Sequence, residues 1–595
     1  MKKQHLRLGA AALCAALALT GCAGPEGAVS SAAAADVPAA AVAYVPLDDR
    51  PVNTDRVTYL AESLHLTLRM PAETLYRTQL DGQENNPDGT RYGDRAGLYE
   101  WVLAQESSGC NYYILSLDQL LSGGLVNSRS FTGGDVTLSD GTVLTEDALL
   151  QSLLRTLGSD PDNRVYLLDT VMRLAPTVGY DGFDLAGYQA LRAYGMLARP
   201  ALSGGDLTLD NIAAAYPLTA DGAAAETTLS DGVIAQYLAC RTRKLRLTDE
   251  ALRLTEGMDN VSFLIGVDDS APSASIQTNE LAYLRRAVGD RGALLSGADE
   301  DGMLAVCRLY AEQFCTGPLP DVTVRYFGGS EGNASSDYDH QPLTEIVDAH
   351  LRYLGLERQD SPGGNGELQL LVLTAPAKAE PASDSIGKII TALRENEKNG
   401  TPTILMDASK NGYGTAFQTA LIGRTQLGFL LGYAGYYDLA NVTGIALSCG
   451  VARYLCLGEQ PERSAAQEAA FSRTLADSLL KDLCYKSVTK GKLTAYVRDE
   501  LQGDPDNFAA TGTDPDAALS WLRSTLPGDC RDVLDNLSHS NRLTGLNPGD
   551  KPAGWGAVSI ADVALPWERV FEIRLSLDVN DLTKIHKKFL FFNVS

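Results

Sequence analysis

Histidine is scarce in this chain, six in 595 residues, at positions 5, 65, 340, 350, 539 and 586. No H-E-x-x-H arrangement occurs, so imidazole-based zinc or triad chemistry has little to draw on. Ten cysteines are present, none in a C-x-x-C pair, and most sit in apolar runs such as Val306-Cys307-Arg308-Leu309 and Tyr454-Leu455-Cys456-Leu457. That placement reads as buried thiols rather than a zinc-thiolate site, although the eight cysteines after Cys22 are even in number and would permit disulfides in an exported protein. Positive charge is also short. Fifty Lys and Arg stand against 75 Asp and Glu, a net charge of −25. Nothing then supplies the cationic surface that binds a phosphate backbone, which excludes nucleic acid as a partner. G-x-x-x-x-G-K-[ST] is absent, no G-x-G-x-x-G follows a strand, and neither a nucleotide cofactor nor a resident metal is expected. With 45% hydrophobic and 21% charged residues, the chain is of globular composition.

Lys2, Lys3 and Arg7 precede an apolar run, Leu8 to Leu19, too short to span a bilayer as a mature helix. The run ends in Leu19-Thr20-Gly21-Cys22, which resembles a bacterial lipobox and implies cleavage before Cys22 and lipidation of its sulfur. Residues 1–22 are therefore expected to be a lipoprotein signal, and residues 23–40, rich in Ala, Gly, Ser and Pro, a flexible tether. No later stretch reads as apolar and uncharged enough to span a membrane. Losing Lys2, Lys3 and Arg7 takes the charge from −25 to −28, so lipid rather than a basic patch would hold the body at a bacterial cell membrane, on its extracytoplasmic face.

Beyond the tether a grammar repeats: a short aliphatic run, then an acid. Ala41 to Leu47 leads to Asp48-Asp49-Arg50, Tyr112 to Leu117 to Asp118, and Val165 to Leu168 to Asp169. Val261 to Val267 leads to Asp268-Asp269, and Ala293 to Ser296 to Asp299-Glu300. Helical-period segments such as Arg95 to Gln105 and Thr278 to Val288 lie between. Apolar strands alternating with helices predict a parallel sheet covered on both faces. In such a sheet the residues after each strand gather on one rim, where ligands bind. Acids distant in sequence are thus expected to meet in one anionic bowl, with Asp49, Asp118, Asp269 and Glu300 sharing a cavity. An Asp after a βα loop is commonly only a helix cap, but one cap does not account for two adjacent acids.

The spacing from 41 to 330 predicts a (β/α) barrel-like domain carrying the site. A smaller α/β domain follows at 331–458, with its strand-like runs Leu368 to Thr374, Thr403 to Met406 and Leu427 to Leu431 beyond the linker signal Ser361-Pro362-Gly363-Gly364-Asn365-Gly366. The remainder, 459–595, reads as mainly helical, with one terminal strand at Val570 to Leu575.

Tyr44-Val45-Pro46-Leu47-Asp48-Asp49-Arg50-Pro51-Val52-Asn53 resembles an uncharacterised bacterial family, domain-of-unknown-function family 4127. Ser116-Leu117-Asp118, Gly123-Gly124-Leu125-Val126, Ser128-Arg129, Val171-Met172-Arg173-Leu174, Asp268-Asp269-Ser270 and Gly297-Ala298-Asp299-Glu300 follow in the family's order. Pro566-Trp567-Glu568-Arg569 and Phe571-Glu572-Ile573 extend the resemblance over nearly the whole mature chain. It implies no particular activity. Where the family favours A-Y-A-G-W-N-T-A-G-N, this chain has Gly432-Tyr433-Ala434-Gly435-Tyr436-Tyr437-Asp438-Leu439-Ala440-Asn441, with Tyr437 in place of the first Asn. Beyond Asp268-Asp269-Ser270, Ser273-Ala274 stand where the family tends to carry an aromatic residue and Gly.

The strand-end acids suit glycoside hydrolysis, which needs a proton donor at the leaving oxygen and a second group at the oxocarbenium-like transition state. Asp268-Asp269 resembles the paired acids of hexosaminidases that use the substrate's acetamide as nucleophile. Asp268 would orient the acetamide and Asp269 would be the general acid. Asp48, Asp49, Arg50, Asn53, Asp118, Arg173, Asp299, Glu300, Tyr436 and Asn441 are the candidate substrate-binding residues, for a polar small molecule or a glycan. Two alternatives stand beside this reading: a divalent-metal-dependent hydrolase using the same acids, and a solute-binding lipoprotein without turnover.

Overall fold

Strand β1, Ala40–Val45, shows in miniature how the chain folds. Val42 and Tyr44 enter one core, Ala43 and Val45 another, and all four are fully buried. Successive side chains of a strand face opposite ways, so an unbroken apolar run needs cover on both sides. The computed structural model describes residues 40–329, 334–359, 367–376, 381–436, 438–547, 549–580 and 582. All belong to one unit, Pro38–Ser595.

Strands β2 (Leu66–Arg69), β3 (Tyr112–Ser116), β4 (Arg164–Val171), β5 (Val261–Val267) and β6 (Gly292–Ser296) join β1 in a six-stranded sheet. Its order is β2-β1-β3-β4-β5-β6, and every pairing is parallel. A second parallel sheet contains β7 (Val322–Phe327), β8 (Arg358–Gln359), β9 (Leu368–Thr374), β10 (Thr403–Ala408) and β11 (Gly432–Gly435). Its order is β8-β7-β9-β10-β11. Both sheets follow the same doubly wound plan, in which the chain reverses its direction of travel after the second strand.

Parallel α/β architecture is therefore as the pattern predicts, but the barrel is not. β2 and β6 do not pair, and the first sheet stays open. Barrels and open sheets both bury parallel strands on two faces, so their local sequence signals coincide. What separates them is the side on which each crossover helix returns. Strand β7, which the spacing assigns to the first unit, opens the second sheet instead.

Helices Asp301–Phe314 and Leu439–Glu459 lie between the sheets. They share one core with Leu264 and Leu295 of the first sheet and Leu370, Val372, Ile404 and Met406 of the second. Among the described residues, Leu439–Glu459 is the one helix long and apolar enough to cross a membrane, a feature the sequence reading did not find. It is almost wholly buried, and its apolarity is that of a central core element. Gly432 and Gly450 allow its close seating. A Cβ on Gly450 would lie 2.2 Å from Cγ1 of Ile404, and one on Gly432 would lie 2.5 Å from the Ala446 carbonyl oxygen.

The C-terminal region packs on the far face of the second sheet. Helix Ala465–Leu479 continues through a π-helical stretch, Leu480–Thr489, into helix Lys490–Asp499. An antiparallel hairpin of β12 (Ala557–Ala564) and β13 (Arg574–Asn580) follows, where the sequence predicted one strand at 570–575. A bulge between Ile560 and Asp562 breaks the alternation of β12, which hid it. The eight cysteines among the described residues are free. Residues 1–22, expected to be a signal ending at Cys22, residues 23–39 of the expected tether, Tyr437 and residues 583–595 lie outside the described residues.

Candidate functional site

Because each sheet is parallel, its strand-end loops collect on one rim, and the two rims meet around a cavity of about 500 Å³. The first sheet supplies Arg50 after β1, Arg129 after β3, Arg173 after β4, Asp268 and Asp269 after β5, and Asp299 after β6. From the second come Tyr338 after β7, Lys410 after β10, and Tyr436, Asp438 and Asn441 after β11. The C-terminal region closes the cavity with Lys486, Lys490 and the hairpin residues Trp567, Arg569 and Phe571. A larger cavity, about 760 Å³, opens at the opposite ends of β4, β5 and β6, beside Arg164, Val261 and Gly292. It collects none of the strand-end acids named above.

Each lining acid has a cationic partner. Arg50 donates to both carboxylate oxygens of Asp299, at 2.9 and 2.6 Å. Burial pushes the Asp299 carboxyl up, but Arg50 outweighs it and holds the group below its ordinary value. Nε and Nη2 of Arg129 donate to Oδ2 of Asp268 at 3.0 and 2.7 Å, and its Nη1 donates to Thr177. Asp269 pairs with Arg173, and Asp438 with Lys410 at 3.5 Å. Asp269 nevertheless lies above its ordinary carboxyl range. Burial raises it, the adjacent Asp268 adds to the rise, and Arg173 offsets part of it.

Behind this lining the acids are structural neighbours of the cavity. Asp48 is fully buried; it accepts from the Arg50 backbone N–H at 3.0 Å, from Arg50 Nε at 2.8 Å and from Asn53 Nδ2 at 2.7 Å. Arg50 is thus held between Asp48 and Asp299. Asp49 accepts from Trp567 Nε1 at 3.1 Å, and burial, with the Asp48 carboxylate beside it, pushes its carboxyl up to about 7. Asp118 is buried on Lys244, which also holds Asp169 at 2.9 Å. Helix Leu117–Ser122 is capped by the Ser116 hydroxyl, so Asp118 is not its cap. Glu300 is fully buried 3.7 Å from Nε2 of His350 and makes no side-chain cap bond to the helix it precedes.

Of the residues singled out from sequence, Arg50, Arg173, Asp268, Asp269, Asp299, Tyr436 and Asn441 line the cavity. Asp48, Asp49, Asn53, Asp118 and Glu300 do not. The anticipated meeting of Asp49, Asp118, Asp269 and Glu300 in one cavity therefore reduces to Asp269. Periodicity finds the end of a strand, but it does not say whether the next side chain turns outward or down into the core. Nor is the bowl anionic. Seven lining residues are Arg or Lys and four are Asp. Sequence reasoning passed over Arg129, Trp567, Arg569 and Phe571, although all four lie in segments that carry the family resemblance. Lys410, Lys486 and Lys490 carried no signal of their own.

Tyr436 adds strain at the rim. Its φ of 69° places a bulky side chain in the left-handed region, and the lining residue Lys410 shares that region at 51°. Among the described residues, no group of three or more His, Cys, Asp or Glu side chains is placed to share one metal ion.

Fold and cavity together define a protein of two doubly wound parallel sheets with one polar cavity at their opposed strand ends. Residues 42–576 match the family described as protein of unknown function, DUF4127, and the chain belongs to that family. Comparison with curated proteins and with solved structures finds no match.

Proposed function

We propose that the cavity is the active site of a hydrolase acting on N-acetylhexosamine-type glycans, held at the extracytoplasmic face of a bacterial membrane by lipid on Cys22. The observation that carries this reading is the pair Asp268 and Asp269. Two adjacent carboxylates enter one cavity in unlike surroundings: Arg129 clamps Asp268, whereas burial raises the Asp269 carboxyl above its ordinary range despite Arg173. Asp269 then serves as general acid to the glycosidic oxygen, and Asp268 orients the substrate acetamide, which attacks the anomeric carbon. Tyr338, Tyr436 and Phe571, exposed in the lining, offer apolar surface for sugar rings, and about 500 Å³ falls within the usual size of a small-molecule site.

A second reading, solute capture without turnover, draws on the pairing of every lining acid with a cation. One assay separates the two. Chromogenic N-acetylhexosaminides are turned over by the full chain, with or without EDTA, and Asp269→Asn lowers kcat by about two to four orders of magnitude with KM little changed. Binding by calorimetry without product across that panel rejects the hydrolase in favour of capture. Activity abolished by EDTA points instead to the divalent-metal alternative. For the anchor, Cys22→Ser moves the protein out of the membrane fraction; a variant that stays there refutes lipidation at this position.

A further inference from the structure

The charge of the cavity divides between two walls. On the floor, where the strands end, acids and cations neutralise one another: Asp268 with Arg129, Asp269 with Arg173, Asp299 with Arg50 and Asp438 with Lys410. The wall built by the C-terminal region has no acid among the lining residues and presents Lys486, Lys490 and Arg569. In a chain of net charge −25, composition does not explain three cations on one wall.

These cations are held in place. Lys486 and Lys490 stand four residues apart, on one face, where the π-helical stretch passes into helix Lys490–Asp499. Their ammonium groups lie 5.8 and 5.3 Å from the centre of the Phe571 ring. The Arg569 guanidinium sits 5.7 Å over Trp567, its Nη2 donates to the Val178 carbonyl at 2.7 Å, and its Nε is buried without a hydrogen-bond partner among the described residues. Lys486 and Arg569 are also largely withdrawn from water, at 6% and 9% exposure. Burial lowers Lys486 to about 7 and Arg569 to about 10, and it lowers Lys490 as well; Glu572, Asp482, Asp504, Asp506 and Asp81 offset this only in part. Keeping the Arg569 guanidinium dry, with its Nε unpartnered and the lysine charges close by, is costly unless an anion joins it.

We propose that Lys486, Lys490 and Arg569 form a subsite for an oxyanion substituent of the substrate, a carboxylate or a phosphate, while the neutralised floor beside Asp268 and Asp269 receives its uncharged part. This deepens the glycan reading and rests on the same cavity being the substrate site. An acidic or phosphorylated sugar would place its anion on the C-terminal wall and its ring beside the exposed Phe571 and Tyr436. Phosphate or carboxylate would meet the lysine pair as point charges and the Arg569 guanidinium as a further cation beside them.

Calorimetric titration of the full chain at pH 6 with glucuronate, glucose 6-phosphate and glucose tests this. Glucuronate or glucose 6-phosphate is expected to bind at least tenfold more tightly than glucose, and the stronger of the two identifies the oxyanion. Lys490→Gln and Arg569→Gln are each expected to cut that preference by about tenfold, and Arg569→Lys to restore part of it. A preference that survives both Gln variants, or no preference in the wild-type chain, overturns the subsite. Circular dichroism and Tm of each variant identify a folding defect; Lys490, at the rim, is the milder of the two substitutions. Anion binding without any glycoside turnover leaves the subsite standing and removes the hydrolase. Turnover of uncharged glycosides with no anion preference does the reverse.

Discussion

Replacing Asp49 by Asn should make the protein more stable at neutral pH and leave it nearly unchanged in acid. Asp49 is 4% exposed, and burial together with the Asp48 carboxylate raises its carboxyl from 3.8 to about 7. Between these values the folded state holds a proton that the unfolded chain has released. Stability from this group is therefore complete below about pH 4 and is lost as pH rises towards 7. A rise of about three pH units corresponds to about 4 kcal/mol. Asn is uncharged at every pH and keeps an oxygen to accept the 3.1 Å bond from Trp567 Nε1. The advantage of the variant should thus grow by up to about 4 kcal/mol between pH 4 and pH 8. For a unit spanning residues 38–595 that is about 3–4 °C in Tm. Thermal unfolding of both proteins at one scan rate, at half-unit pH steps, measures the difference directly. A Tm difference that does not vary with pH refutes the reasoning, because it would mean that Asp49 ionises alike in the folded and unfolded chain.

Two further perturbations probe the frame that supports the cavity. Glu468 accepts from Arg453, Arg463 and Arg542; burial raises its carboxyl, but these cations outweigh that and hold it down to about 2. Its contribution is present above about pH 4.5 and fades as pH falls towards 2, so Glu468→Gln should cost about 3–5 kcal/mol at pH 7 and much less at pH 3 by denaturant titration. A loss equal at both pH values counts against the ion-pair account. Gly450→Ala places a methyl group 2.2 Å from Ile404 Cγ1 and should destabilise by about 1–3 kcal/mol, and the double variant with Ile404→Val should recover part of that loss. Strictly additive effects would show that helix Leu439–Glu459 does not depend on this close approach.

The distribution of charge illustrates how far single-sequence reasoning reaches. The acids that follow the strands invited the expectation of an anionic bowl. A cavity samples only the residues whose side chains turn into it. Here Asp48, Asp49, Asp118 and Glu300 turn away, on to Arg50, Trp567, Lys244 and towards His350, while cations from residues 486–490 and 569 arrive from another part of the chain.

What the linear order of residues determined by itself is local: apolar runs that must be buried on both faces, helices between them, and acids at the strand ends. These follow from side-chain periodicity and burial, which act over a few residues. The strand Val261–Val267 ending at Asp268-Asp269 was legible for that reason. Only the tertiary structure decided that the sheets are two and open, that Val322–Phe327 belongs to the second, and that their rims face each other. Crossover direction and the packing of Leu439–Glu459 between the sheets depend on contacts between segments hundreds of residues apart. No local pattern encodes those contacts, because the same strand and helix signals serve a closed barrel equally well.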